Sequence, residues 1–412
     1  MTGSAPRLAF IGWLLGDYGG LETRVLAAAE LASEAGFDVT IRTARPTPPG
    51  SPTAEALAAF DHRSVIGDWQ RTPRGRASLA SARASTMVRT RRRLTATERA
   101  QAGDGLARRQ ALGHWAGPGR ALLEDVDVVH LFGPPHVFTV EALEAAHAAG
   151  ASTLYQSVHA VTAAYAAIRK RFIGTCNLLD LILTSSPGQA DDFAEHFGYE
   201  GAAQVIQQWA YDIEDDLLAL PIDPTATTTV GALCRLDAVK GLDTLIRAVA
   251  EAADEQPGLR LRIGGTGEED GSLRDLARSL GIADRVELMG YVRDRVAFYR
   301  GIDAFAITSK AEGGPVTGVE AMAAGRAIVS TPVGAMPDRL AGEVGRLVEV
   351  GDTAALARAL SDLAAAPEER ARLGDAARAR YRAGYSEASQ SALLVDTWTR
   401  LAAAARERRG RP

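Results

Sequence analysis

TTTVGALCRLDAVKGLDTLIRAVAEAADEQPG, residues 227–258, reads as one complete structural unit. It opens with TTTVGALC (227–234), a nearly continuous run of β-branched and apolar residues. A strand without polar alternation is one covered on both faces of its sheet. The chain then passes through Arg235 and Lys240 into an amphipathic helix, which Pro257 and Gly258 close. A buried strand followed by a loop and a helix is the repeat of a parallel sheet.

The same alternation extends in both directions. In the second half the runs are LRLRIGG (259–265), RVELMG (285–290), DAFAITS (303–309), RAIVST (326–331) and GRLVEV (345–350). In the first half they are RLAFIGW (7–13), DVTIRTA (38–44), DVVHLFG (127–133), STLYQSV (152–158), LILTSS (181–186) and AQVIQQ (203–208). Two sets of six strands predict an α/β protein with two Rossmann-like, doubly wound parallel sheets. The expected division is a first domain over 1–211, a linker over 212–227, a second domain over 228–385 and a helix over 386–412. The linker, DIEDDLLALPIDPTAT, carries two prolines. The last helix either closes the second domain or returns to the first.

Composition narrows the class. The chain has 412 residues, against a prior of about 100–200 per domain. Its 46 % apolar and 24 % charged content excludes wholesale disorder and a membrane-embedded chain. A net charge of −5 gives no global basic excess for nucleic acid. Cys176 and Cys234 are too few and too far apart for a disulfide framework or a zinc site, which fits a reducing cytoplasm. LAFIGWLLG near the start is short, Asp17 follows it, and no A-x-A pattern marks cleavage, so a signal peptide is not expected. Of 46 basic residues only Lys170, Lys240 and Lys310 are lysines, so a lysine here invites a local reason.

Residues 50–125 fit the alternation poorly. Twelve arginines lie between Arg63 and Arg109, against Asp68, Glu98 and Asp104. This is either a solvated helical insertion or a basic surface for an anionic acceptor or lipid face.

Several loops could carry chemistry. The first strand runs into Gly12, Gly16, Gly19 and Gly20, and a helix follows, so a phosphate loop and a plain tight turn both fit. IGGTGEEDG (263–271) approaches a dinucleotide fingerprint, with Glu287 near the ribose-acid position. Its spacing is GxGxxxG, however, and Glu268, Glu269 and Asp270 would face a pyrophosphate. Arg235 and Lys240 stand in a strand-to-helix loop, where such folds bind ligands. Fixed cations there can stabilise a departing diphosphate. In SKAEGGPVTGVEAMAAG (309–325) a strand ends at Ser309, Gly313–Gly314–Pro315 turn the chain, and Pro315 suits the first helical turn. Glu312 then lies on the loop and Glu320 more than a turn inside the helix. Each carboxylate can accept from hydroxyls. Asp125-Val126-Asp127 spells a DxD, but it precedes a strand and reads as a strand entrance rather than a metal site. His130 and His136 at a strand's carboxyl end suit either an acceptor site or a structural role.

The segment with Glu312 and Glu320 resembles the Glu-seven-residues-Glu signature of retaining glycosyltransferases of the GT-B fold, family 4. GALCRLDAVKGLDTLI resembles that family's Arg/Lys diphosphate segment, and RVELMGYVRD its nucleobase loop. The resemblance covers about residues 228–345 firmly and the first half loosely, through DVVHLFG, YQSVHAV and the GGLE turn. It implies two Rossmann-like domains facing across a cleft, and transfer of a sugar from a nucleotide-diphosphate donor with retention. It implies no cofactor and no essential metal.

By position, the resemblance gives Arg235 and Lys240 to the donor diphosphate and the backbone near Val292 to the base. It gives Glu312 and the backbone of Gly313, Gly314, Pro315 and Val316, where the proline removes one N–H donor, to the donor sugar, and Glu320 to the ribose. His159 would flank the reacting carbon, while Gly19 and Gly20 would approach the phosphates. The family usually has a large residue and then glycine after Glu-Gly, where this chain has Gly314 and Pro315. The expected partners are a nucleotide sugar and a small-molecule, glycan or lipid-linked acceptor, with peripheral membrane contact open. Natural-product or cell-envelope glycan synthesis in the cytoplasm is the setting. The alternatives are a nucleotide-sugar epimerase and a binding protein without turnover.

Overall fold

The computed structural model describes residues 4–13, 15, 20–73, 76–77, 80–81, 114–115, 119–133, 137–156, 166–222 and 228–410. The chain divides into two compact units. The first comprises 1–184, 190–204 and 393–412, and the second 185–189 and 205–392.

The first unit is a seven-stranded sheet. Its strands are β1 (Arg7–Gly12), β2 (Asp38–Thr43), β3 (Asp61–Ser64), β4 (Val128–Phe132), β5 (Ser152–Gln156), β6 (Leu181–Thr184) and β7 (Ala202–Val205). Their spatial order is β3-β2-β1-β4-β5-β6-β7. The central strands pair in parallel, with Phe10 opposite His130 and His130 opposite Leu154. One face packs Ala9, Ile11, Val129 and Leu131 against Phe138, Leu143 and Ala146 of the helix Val137–Ala148. On the other face Phe10 meets Trp398 edge-on at 5.9 Å.

Six strands were expected here, and the seventh is β3. Its sequence, DHRS, has no apolar run, because it is an edge strand paired only to β2. Arg42 holds it by donating to Asp61 Oδ2 at 2.6 Å.

The second unit is a six-stranded sheet: β8 (Thr228–Leu233), β9 (Leu259–Gly264), β10 (Val286–Gly290), β11 (Ala304–Ile307), β12 (Ala327–Ser330) and β13 (Arg346–Leu347). The order β10-β9-β8-β11-β12-β13 is the one expected of a doubly wound sheet. Successive residues of β11 face opposite cores. Ala304 and Ala306 join Leu245, Ile246 and Val249 of the helix Leu242–Ala253, while Phe305 and Ile307 join Val319 and Met322. Two covered faces require apolar residues at every position, which is why β11 reads AFAI, an uninterrupted run. The stretch 205–222 belongs to this unit, and the helix Glu214–Leu218 buries Leu217 in its core.

The last helix, Glu387–Arg408, starts in the second unit and contributes to the first from Leu393. There Asp127 accepts from Arg7 N at 3.0 Å, Arg406 Nε at 3.1 Å and Arg409 Nη2 at 2.5 Å. Asp180 pairs with Arg408 at 3.2 Å. Asp127 is thus an anchor for the last helix at the amino end of β4. Among the described residues no group of three or more metal-binding side chains occurs. Nor is any described helix long and apolar enough to cross a membrane.

His130 is a core residue, 1 % exposed, with its ring 4.9 Å from that of Phe10. Burial and then the nearby Arg24 charge push its pKa down to about 3, against a hydrogen bond with Gln156 that raises it. An unfolded chain binds this proton near pH 6.5 or so, and the folded chain only far lower. The stability that neutral His130 permits is therefore complete above about pH 6.5 and is lost as pH falls toward 3, at up to about 1.4 kcal/mol per unit. Urea midpoints compared at about pH 7.5 and about pH 5 should drop more in the wild type than in His130→Leu. Equal drops would assign the acid sensitivity to other groups.

Candidate active site

Parallel pairing brings the loops after β8, β9, β11 and β12 to one edge of the second sheet. Two of these loops touch through backbone. Gly241, at φ +62°, lies so close to the strand end after β11 that a Cβ would sit 2.2 Å from the Thr308 carbonyl oxygen. Thr308 Oγ1 donates to Lys240 O at 3.0 Å, and Lys310 N to Val239 O at 2.7 Å. The loop carrying Lys240 is therefore fastened to the loop carrying Glu312.

The side chains complete this junction. Lys240 Nζ donates to Glu312 Oε1, which also accepts from Ser309 Oγ at 2.9 Å. The two side chains are only 14 % and 18 % exposed. Together with Cys234, Pro315 and Thr317 they line a narrow pocket at the sheet edge. Burial raises the Cys234 pKa to about 12, so it stays a thiol and not a nucleophile. Arg235 differs sharply from Lys240. Its side chain is 77 % exposed and reaches Asp237 at 3.0 Å.

Pro315 was expected inside the first helical turn, but it stands one position earlier. It is the cap residue, with ψ 121°, and the helix runs from Val316 to Ala323. No side chain caps that helix. The first N–H groups of an uncapped helix form an anion- and hydroxyl-binding surface. Here the first of those N–H groups belongs to Val316, four residues after Glu312.

Glu320 is 1 % exposed. Arg295 Nη1 donates to its Oε1, and Tyr299 Oη lies 2.9 Å from its Oε2. Arg295 Nη2 also reaches Asp212 Oδ1 at 2.5 Å. Burial raises the Glu320 pKa, while Arg295 and Tyr299 pull it back. The Tyr299 pKa is raised well above the ordinary phenol range, first by burial and then by Glu320, so it remains a donor. Sequence reasoning named neither Arg295 nor Tyr299. Both lie more than twenty residues from Glu320 along the chain, and no spacing rule connects them.

Val292 packs against the second core, with its Cγ2 2.6 Å from where a Cβ on Gly264 would lie. Glu287, the ribose-acid position of a dinucleotide fingerprint, is instead paired with Arg262 at 2.9 Å. Gly20 begins the helix Gly20–Glu34. Gly19, His136 and His159 lie outside the described residues, as do residues 82–113 of the arginine-rich stretch. Where that stretch is described, Arg63 and Arg71 form exposed pairs with Asp61 and Asp68 at 3.6 and 3.3 Å.

The chain's second half has recognisable relatives. Residues 227–366 match the family model described as "Glycosyl transferases group 1". A D-inositol 3-phosphate glycosyltransferase of Streptomyces coelicolor is 35 % identical over 195 residues, 44 % of this chain and 42 % of that protein. The lipopolysaccharide core biosynthesis glycosyltransferase LpsE of Rhizobium meliloti is 32 % identical over 207 residues, 48 % of this chain and 57 % of that one. The chain thus spans about half the length of the curated relatives it matches. Anabaena HepE, solved in complex with UDP, is similar over 95 % of this chain and 99 % of its own, with a TM-score of 0.72 and 15 % identity. S. aureus TarM, solved as a mutant with UDP and sugar ligands, covers 96 % of this chain and 99 % of its own, with a TM-score of 0.73 and 14 % identity. At such identities the likeness is one of fold, and the fold is the GT-B pair of Rossmann-like sheets.

Arg295 and Arg235 should separate cleanly in unfolding experiments. Arg295→Met leaves the buried Glu320 carboxylate without its cation and should destabilise toward the lower end of about 3–5 kcal/mol, since Arg295 is itself partly at the surface. Arg235→Ala, at an exposed position, should stay within about 0.5 kcal/mol of wild type. Denaturant titration reads both. Equal stability of Arg295→Met and wild type would mean that Glu320 is not held as an ion.

Proposed function

We propose that this chain is a retaining glycosyltransferase that moves a sugar from a nucleoside-diphosphate donor to an acceptor hydroxyl, in natural-product or cell-envelope glycan synthesis. The observation that carries the reading is the Lys240–Glu312–Ser309 cluster set beside an uncapped helix N-terminus, at the carboxyl edge of a parallel sheet. The group 1 match over this unit and the named activities of the relatives support it.

In this reading Lys240 and Arg235 meet the donor diphosphate. Lys240 keeps one N–H on Glu312 and has two others for phosphate oxygens. Glu312 and the N–H groups of Gly313, Gly314 and Val316 hold the donor sugar, with Pro315 shaping the turn, and the backbone near Val292 meets the base. Glu320, steadied by Arg295 and Tyr299, takes the ribose. The first-unit roles of Gly19, Gly20 and His159 belong to the same proposal.

The reaction breaks the bond between the anomeric carbon and the diphosphate oxygen. The acceptor oxygen bonds to that carbon on the same face, and its proton passes to the departing diphosphate. Growing negative charge on that oxygen is what Lys240 and Arg235 stabilise. Inversion would instead need a base on the opposite face, and the acids of this site already have other work. The two cations take the part that a metal ion would otherwise take, so activity should survive a chelator.

A thermal-shift screen of nucleoside diphosphates identifies the base, because a ligand that binds only the folded state raises its apparent stability. With the matching sugar donor, Lys240→Ala and Arg235→Ala should each lose about 10²–10³ in kcat. The product's anomeric coupling, read early by proton NMR, should match the donor's configuration. An inverted anomer, or near-wild-type kcat in both variants, overturns the assignment.

A further inference from the structure

We propose that Arg339 is a positioning residue of the donor site, fixing the direction in which the Gly313–Pro315 turn presents its N–H groups. The role given to those groups rests on the function proposed above.

Arg339 lies on the short helix Met336–Leu340 and is wholly buried, with 0 % exposure. Nothing in the catalytic reading uses it. Its Nη1 donates to the Pro315 carbonyl at 2.8 Å, and its Nη2 lies 3.3 Å from Gln208 Oε1. Its guanidinium carbon is 6.0 Å from the centre of the Tyr385 ring. An arginine interior to a protein needs good partners to offset its desolvation. One partner here is a backbone carbonyl of the turn between Glu312 and the helix that follows.

A second carbonyl of the turn, that of Gly313, is held as well, by Ala335 N and by Gln189 Nε2. Gly313 O accepts from Ala335 N at 3.0 Å, and Ala335 is the residue just before the helix of Arg339. In a trans peptide the C=O and the next N–H point opposite ways. Tying back Gly313 O turns the Gly314 N–H outward, away from the 335–339 segment. Tying back Pro315 O does the same for the Val316 N–H. The turn is thereby set as a pair of donors beside Glu312.

The sequence at 314 makes room for this device. A Cβ on Gly314 would approach Arg339 Nη2 to 3.3 Å, tighter than ordinary contact. A large side chain at 314 would displace the guanidinium. Gly314 and Pro315 therefore go with Arg339 as one arrangement, with the proline's own missing N–H leaving Gly314 and Val316 as the flanking donors.

The test uses Arg339→Met and Arg339→Lys in the full chain, with UDP and UDP-glucose as probes. Two amides report the turn directly. Ala335 donates to Gly313 O, and Gly318 donates to Pro315 O at 3.2 Å. In Arg339→Met, hydrogen exchange of peptides covering these amides should quicken at least about tenfold, while β8 and β9 keep their protection. UDP affinity should stay within about threefold, while kcat with UDP-glucose falls about 10- to 100-fold, as misplacement predicts. Arg339→Lys should recover part of kcat, because an ammonium can reach the Pro315 carbonyl but not span both partners. If Arg339→Met fails to fold, the lysine variant and Gly314→Ala, which presses on Nη2, carry the same measurements. Unchanged exchange at Ala335 and Gly318 in a folded variant overturns the proposal. So does an equal loss of UDP and UDP-glucose affinity with kcat intact. If wild type binds neither probe, the donor's base is not uracil, and the exchange experiment still decides the role of Arg339.

Discussion

The inner strands of both sheets are covered on both faces, and most of the structure follows from that constraint. A strand with a helical layer on each side has no solvent face, so each of its positions must be apolar or paired. Ala304, Phe305, Ala306 and Ile307 satisfy it in turn, alternating between two cores. Helices can cover both faces only through crossover connections, and crossovers make the strands parallel. Parallel strands all end at one edge. The residues that could carry chemistry are therefore drawn from loops far apart in sequence, such as 234–241 and 308–315, and fastened to each other by backbone contacts like Lys310 N to Val239 O.

Charges that this architecture buries are handled by arginine. Asp127 at the amino edge of the first sheet is met by Arg406 and Arg409. Glu320 inside the second unit is met by Arg295. Arg326 donates to two backbone carbonyls, Ile302 O at 3.1 Å and Pro221 O at 2.8 Å. A planar fork of five donors can satisfy several acceptors in fixed directions, which an ammonium cannot. The rare Lys240 stands where a compact, mobile charge is wanted, between a carboxylate and the mouth of a pocket.

Twelve of the thirteen strands lie on runs that the sequence displays, the inner ones because burial on both faces writes itself into consecutive residues. β3 is not among them, since an edge strand stabilised by Arg42 and Asp61 leaves no apolar trace. Glu312, Lys240 and Glu320 were legible because strand-loop-helix order fixes where a residue at a given offset must fall. The partners of Glu320 were not. Arg295, Tyr299 and Arg339 act across distances set by tertiary packing, and in a chain with so many arginines none of them stands out. The position of Pro315 also escaped, because the same residue type serves a helix at its cap and in its first turn.

The charges of the site lead to one more step. Arg235 and Lys240 bring two positive charges, and Asp237 and Glu312 stand against them at 3.0 Å and in direct contact. Beyond a few ångströms these two pairs largely cancel, so they exert little pull on a distant anion. Attraction and grip must then come at short range. Lys240 supplies part of it already ordered by Glu312, whereas an exposed Arg235 loses about 1.5–2 kcal/mol of side-chain freedom when it settles on a ligand. The rest falls to backbone N–H groups, whose charge is partial but whose direction is fixed before a ligand arrives. A donor of that kind is useful only if it cannot turn away. This is why the proposed site places its most deeply buried cation, Arg339, behind the turn and against the Pro315 carbonyl. There it adds little to direct contact with an anion and, in the proposed reading, holds the peptide groups that would meet the donor sugar.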